Sequence, residues 1–134
     1  MARVTGIGGI FFKARDADAL RAWYRAHLGL EIQDWGGVTF RTPGPGGESE
    51  ALTVWTIFPS TSTYFTPSSA PFMINYRVTD LAAVLAALQG EGCAVDDRVE
   101  ESEFGRFGWV QDPEGNRVEL WEPPAGRFPG SEWL

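Results

Sequence analysis

GIFFKARD (Gly9 to Asp16) and MINYRVTD (Met73 to Asp80) lie 64 positions apart, and reading them together decides the fold. Each is a strand-like run closed by an aspartate, and each aspartate precedes apolar residues at helical spacing. Behind Asp16 these are Leu20, Trp23, Tyr24 and Leu28; behind Asp80 they are Leu81, Val84, Leu85 and Leu88. An aspartate so placed accepts backbone N–H groups of the first helical turn. Asp18 complements the dipole of the first helix, Gly29 ends it, and Gly90 and Gly92 end the second.

Working outward, three extended stretches follow each helix. In the first half they are Glu31 to Trp35, Val38 to Thr42 and Ala51 to Phe58, with a turn at Gly36 and Gly37 and a loop, PGPGGESE, over 43–50. In the second half they are Cys93 to Glu100, Phe107 to Gln111 and Asn116 to Glu122. The order βαβββ thus occurs twice, and a sheet covered by a helix on one face is free to close around a cavity on the other. The expected fold is α+β, in one domain spanning 1–134. Two tandem βαβββ modules, 4–58 and 72–123, supply eight strands free to close around a cavity, with the helices outside. Residues 59–71, PSTSTYFTPSSAP, form a linker with two open readings: a plain crossover, or a cover in which Tyr64 and Phe65 close a pocket or meet a neighbouring subunit. The tail, 124–134, is irregular. Its Phe128, Trp133 and Leu134 are costly to leave in water together, so it is expected to dock on its own domain or on a second chain.

The last strand carries the most informative side chain. In DPEGNRVELWE (Asp112 to Glu122) a reverse turn built on Pro113, Gly115 and Asn116 feeds a strand with Glu119 at its centre. Alternation puts Arg117, Glu119 and Trp121 on one face and Val118 and Leu120 on the other. Gly108 is expected opposite Glu119 if the turn closes a two-residue hairpin.

Composition excludes several classes. A formal charge of −7 with eleven scattered Lys and Arg argues against nucleic acid and against anionic membranes. The start, MARVTGIGGIFF, lacks the features of a signal peptide and no segment approaches a membrane-spanning length, so a cytoplasmic protein is expected. Cys93 is the single cysteine and His27 the single histidine, which rules out an internal disulfide and a Cys/His zinc site. His27 reads as a helix C-terminal or solvated group. The segment Glu100 to Trp109 reads either as a solvated acidic loop or as a lid with Arg106 as an anion contact.

The order, spacing and repetition of GIFFKARDADALRAWYRAHLGLEI, FMINYRVTDLAAVLAALQGEG and DPEGNRVELWEP resemble the glyoxalase, bleomycin-resistance and extradiol-dioxygenase superfamily, the vicinal oxygen chelate fold, across residues 4 to 123. The resemblance implies an eight-stranded open barrel and a homodimer; metal-dependent members hold a divalent ion with four side chains. Carried onto this chain, those positions fall on Gly9, Trp55, Met73 and Glu119, and only Glu119 keeps a ligand type. A thioether suits a hard ion poorly. Asn75 offers an amide oxygen on the face of Met73 but is displaced along the strand. No metal and no other cofactor are expected.

What remains is an aromatic, partly charged cavity with Phe11, Trp55, Met73, Asn75, Arg77, Arg117 and Trp121 as ligand-binding candidates and Arg106 at its gate. Phe11 and Met73 serve equally as core packing. Glu119 is either neutralised by Lys13, Arg77 or Arg117, or it contacts a ligand or acts as a base. Three functions compete. The leading one is metal-independent binding of a small, partly aromatic molecule. The second is a divergent lyase, isomerase or dioxygenase-like enzyme using Glu119 as base or metal ligand; the third is a dimeric interaction module with a vestigial cavity.

Overall fold

Asp16 and Asp80 both cap helices. In the computed structural model, which describes residues 3–42 and 51–124, the Asp16 carboxylate accepts the Ala19 N–H at 3.0 Å and starts α1 (Ala17–Leu28), which ends on Gly29 in the left-handed region, φ 68°. Asp80 accepts the Ala83 N–H at 3.1 Å and starts α2 (Leu81–Gly90). The strands are β1 (Val4–Ala14), β2 (Gly37–Thr42), β3 (Ala51–Pro59), β4 (Phe72–Val78), β5 (Ala94–Ser102), β6 (Gly105–Gln111) and β7 (Arg117–Glu122).

These form one seven-stranded mixed sheet, ordered β2-β3-β1-β4-β7-β6-β5, that does not close into a barrel. β1 runs parallel to β3 and β4 parallel to β7, while β1 and β4 meet antiparallel at the centre. The eighth strand expected over Glu31 to Trp35 is absent. Gly36, at φ 99°, turns the chain so sharply that the Gln33 N–H already bonds the Gly37 carbonyl at 2.9 Å, leaving no run of backbone free to pair. The loop expected over 43–50 and the docking of the tail fall outside the described residues, except for Pro124. Among the described residues no helix is long and apolar enough to cross a membrane.

The two faces differ in what covers them. On the helix face, α2 packs Leu81, Val84 and Leu85 against Val78 and Leu120. Gly108 serves this contact, since a side chain there would press on Leu85 and Leu81. α1 is held differently: none of its residues is buried, and Trp23 and Leu28 of the expected apolar stripe are 49% and 59% exposed. Arg21 ties it down, its Nη2 donating to the Ile57 carbonyl at 2.7 Å and its Nε to Gly36 at 3.2 Å. On the other, inner face, linker 59–71 folds over the sheet. Phe65, fully buried, joins Phe11, Met73 and Trp109 in a core cluster flanked by Tyr64, Phe58, Val54 and Phe107. Residues 59–71 are therefore more than a plain crossover, but what Phe65 covers is packed side chains and not the expected pocket.

Candidate functional site

Register assembles the site on the inner face. Gly9 pairs with Asn75, Asn75 with Glu119, and Glu119 with Trp109, so one row crosses β1, β4, β7 and β6. Directly opposed residues point to the same side of a sheet, which gives Glu119 its neighbours. Asn75 is thus in line with the carboxylate. Gly108 faces Leu120 instead, because the turn holds five residues, Asp112 to Asn116, between the pairing ends Gln111 and Arg117; that slip by one flips the side. Gly115, at φ 85°, and the Asp112 carboxylate, which accepts the N–H groups of Glu114 and Asn116 at 2.9 Å, hold the turn.

Glu119 is 1% exposed. Its Oε1 accepts the Asn75 Nδ2–H at 2.7 Å; its Oε2 accepts the Tyr64 hydroxyl at 2.5 Å and the Trp109 Nε1–H at 2.9 Å. All three donors are neutral. The cations expected to neutralise it are engaged elsewhere: Lys13 over the Phe65 ring at 5.2 Å, Arg77 on the carbonyls of Ile7 and Leu52 at 2.8 and 2.5 Å, and Arg117 on Asp96 at 3.0 Å. Burial pushes the Glu119 carboxyl above its usual range against the pull of its three donors and the field of Arg117. Desolvation and the neighbouring carboxylate likewise hold the Tyr64 hydroxyl well above its ordinary value, so it donates and does not ionise.

The other sequence candidates are dispersed. Trp55 turns to the helix face, where it packs on Phe12 and Tyr24 at 5.3 and 4.9 Å between centroids; Val54 and Phe58 take the inward positions of β3. β3 is apolar on both faces, so alternation alone did not fix its side. Phe11 and Met73 are core, Trp121 stacks on Phe107 and donates its Nε1–H to the Phe104 carbonyl at 2.8 Å, and Arg106 pairs with Glu101 at 3.2 Å on the β5–β6 hairpin. The expected lid is that hairpin. Two participants were missed in sequence reasoning: Trp109, hidden by the register slip, and the Tyr64 hydroxyl, 55 residues from its acceptor.

The residues present do not fit the divalent ion of the resembling superfamily. Gly9 has no side chain, Trp55 points away, Met73 is sealed in the core, and both Glu119 oxygens face N–H or O–H protons that a cation would have to displace. Among the described residues no three His, Cys, Asp or Glu side chains group to hold a metal.

Stability should carry the signature of this carboxyl. Its folded pKa lies above the ordinary 4.5, so it favours folding below that pH and opposes it as pH rises through the folded value. Asp96 and Asp112, held below the ordinary 3.8 by their donors, act the other way, adding stability above 3.8 and losing it in acid. In thermal denaturation from about pH 4 to about pH 8, Glu119→Gln should gain on wild type as pH rises above the ordinary carboxylate range, until the carboxyl has ionised in the folded chain. A constant difference would mean that Glu119 titrates normally.

The glyoxalase-like domain profile matches residues 9–121, from the glycine at one end of the row to the strand that carries Glu119. Among solved structures, methylmalonyl-CoA epimerase from Mycobacterium tuberculosis is similar with a TM-score of 0.59 at 19% identity, covering 100% of this chain and 95% of that one. A Streptomyces coelicolor methylmalonyl-CoA epimerase variant in complex with 2-nitronate-propionyl-CoA gives 0.63 at 18%, covering 94% and 99%. A Legionella pneumophila protein described as NAD-dependent benzaldehyde dehydrogenase gives 0.57 at 10%, covering 87% and 98%. At such identities the likeness concerns the fold alone. No curated protein matches the sequence.

Proposed function

The chain belongs to the glyoxalase-like domain family of the vicinal oxygen chelate superfamily, and we propose that this member binds a small, partly aromatic molecule without a metal ion, using Glu119 as a buried acceptor. One observation carries the reading: among the described residues a fully buried carboxylate is hydrogen-bonded by neutral donors only and forms no ion pair. A group retained for stability alone would be expected to be paired or replaced by an apolar residue, and strongly desolvated carboxyls cluster at functional sites. Tyr64 is the donor that gives way in this reading. It sits on an irregular segment between Glu119 and a surface cleft of about 580 Å³ that it helps to line, a volume suited to a small molecule. A ligand donor group entering from the cleft takes the place of the Tyr64 hydroxyl on Oε2.

A thermal-shift screen of aromatic metabolites, run in the presence of chelator, tests this on wild type and Glu119→Gln. Hits should stabilise wild type and lose most of that gain in the variant, because the stability gain reports binding to the folded state. Equal gains in both proteins, or hits that need an added divalent ion, would sink the proposal. The raised pKa of Glu119 favours a second reading, a general base for an acidic C–H of the ligand. It requires hydrogen–deuterium exchange of the bound ligand that stops in Glu119→Gln.

A further inference from the structure

The cleft beside Tyr64 is lined by a cation whose hydrogen bonding is incomplete among the described residues. Arg117 is 7% exposed, yet among the described residues its guanidinium makes one hydrogen bond, from Nη1 to Asp96 at 3.0 Å, and its buried Nε meets no acceptor. Such a group is costly unless something else completes it. Its position is fixed by Trp109, whose ring lies 4.8 Å from the Arg117 guanidinium and 5.1 Å from that of Arg98. Both guanidinium groups therefore lie over one aromatic ring and line the same cleft. Ser62, Thr63 and Thr66 add hydroxyls to its rim.

We propose that this cleft is an organic-acid subsite in which Arg117 and Arg98 take the carboxylate of the ligand and Asp96 is the resident counter-ion that gives way to it. The proposal rests on the reading of the cleft as the entrance for a ligand. Asp96 shows the chemistry directly, as a carboxylate already seated on Arg117, with Oδ1 receiving the backbone N–H of Arg98 at 2.9 Å. It is also the replaceable partner, since its side chain is 34% exposed against 8% for Arg117. A singly charged planar carboxylate suits the site better than phosphate. Asp96 and Glu100, the latter paired with Arg98, stand beside it and repel a dianion, whereas a carboxylate repeats the geometry that Asp96 now satisfies. The arrangement is coupled to the row behind it: Arg117 holds the Glu119 carboxyl down through its field, and Trp109 touches both groups.

Titration of sodium benzoate into the whole chain, followed by amide and indole NMR shifts, tests the assignment, with benzamide and inorganic phosphate as comparison probes. Benzoate should saturate and move the Tyr64 and Arg98 amides and the Trp109 indole, while benzamide and phosphate bind at least about tenfold more weakly. Arg98→Gln, on an exposed side chain, should weaken benzoate about tenfold, and Asp96→Asn, which removes the competing carboxylate, should strengthen it by several-fold. Arg117→Lys keeps the charge but loses the fork, and should weaken benzoate more than Arg98→Gln does. Weaker binding in Asp96→Asn, equal binding of benzamide, preferred binding of phosphate, or shifts that do not saturate would each overturn the subsite. Glu119→Gln separates this result from the proposed function. If benzoate binds both proteins alike while screen hits lose their effect in the variant, both proposals stand. If benzoate fails but the hits depend on Glu119, the anion subsite alone falls.

Discussion

Glu119→Ala should cost about 3–5 kcal/mol, a fall in Tm of about 10–20 °C, because it strands three donors and opens a void at once. The Tyr64 hydroxyl, the Asn75 amide and the Trp109 indole N–H all end on this carboxylate, and the site is 1% exposed, so water does not replace it without entering the core. Glu119→Gln should behave differently and stay within about 1 kcal/mol of wild type near neutral pH. The glutamine oxygen takes the bonds from Tyr64 and Trp109. Its amide then faces Asn75, whose Oδ1 has no hydrogen-bond partner among the described residues and is available once the Asn75 amide turns over. The loss of one acceptor is offset by not having to bury a charge. Urea denaturation of both variants decides the matter. An alanine variant as stable as wild type would show that the carboxylate does not organise its neighbours, and a glutamine variant as damaged as alanine would show that the charge itself is needed.

The same contrast explains which parts of the architecture were legible in the sequence. Helix starts at Asp16 and Asp80 are local events, set by a side chain bonding three residues ahead, and they stand where the repeated pattern puts them. Side assignment succeeded on β1, β4 and β7, where Gly9, Asn75 and Glu119 break the apolar run and mark one face. It failed on β3, where Leu52, Val54, Trp55 and Ile57 supply apolar groups to both faces and the partner strand alone decides. A two-residue turn would set Gly108 against Glu119; the pairing of Gln111 with Arg117 sets Trp109 there instead and supplies a donor. The stretch 31–35 looked like a strand by composition, but a strand also needs an open edge, and the turn at Gly36 denies it one. Glu119 itself was visible from the start. Its donors were not, because two of the three come from the linker and from a strand whose register sequence spacing does not specify.

The linker therefore offers the other large effect. Phe65→Ala should destabilise the chain by about 3–5 kcal/mol, as the loss of a core aromatic does, although it lies in a Ser-, Thr- and Pro-rich connection between two halves. The side chain is 0% exposed, its ring centroid stands 5.1 Å from that of Phe58 and 6.4 Å from that of Tyr64, and it shares a cluster with Phe11, Met73 and Trp109. Were residues 59–71 only a crossover, the cost would fall in the range of surface substitutions, within about 0.5 kcal/mol. Tyr64→Phe isolates the polar half of the same segment: it keeps the ring stacked on Phe58 at 5.7 Å and removes only the hydroxyl on Glu119. That variant should lose about 1–3 kcal/mol as one oxygen of a buried carboxylate gives up a donor. It should also raise the Glu119 pKa further, since the Tyr64 bond now lowers it, and so steepen the decline of stability with rising pH. If Tyr64→Phe instead matched wild type at every pH, the hydroxyl would not be holding Glu119, and Tyr64 would cover the site by its ring alone.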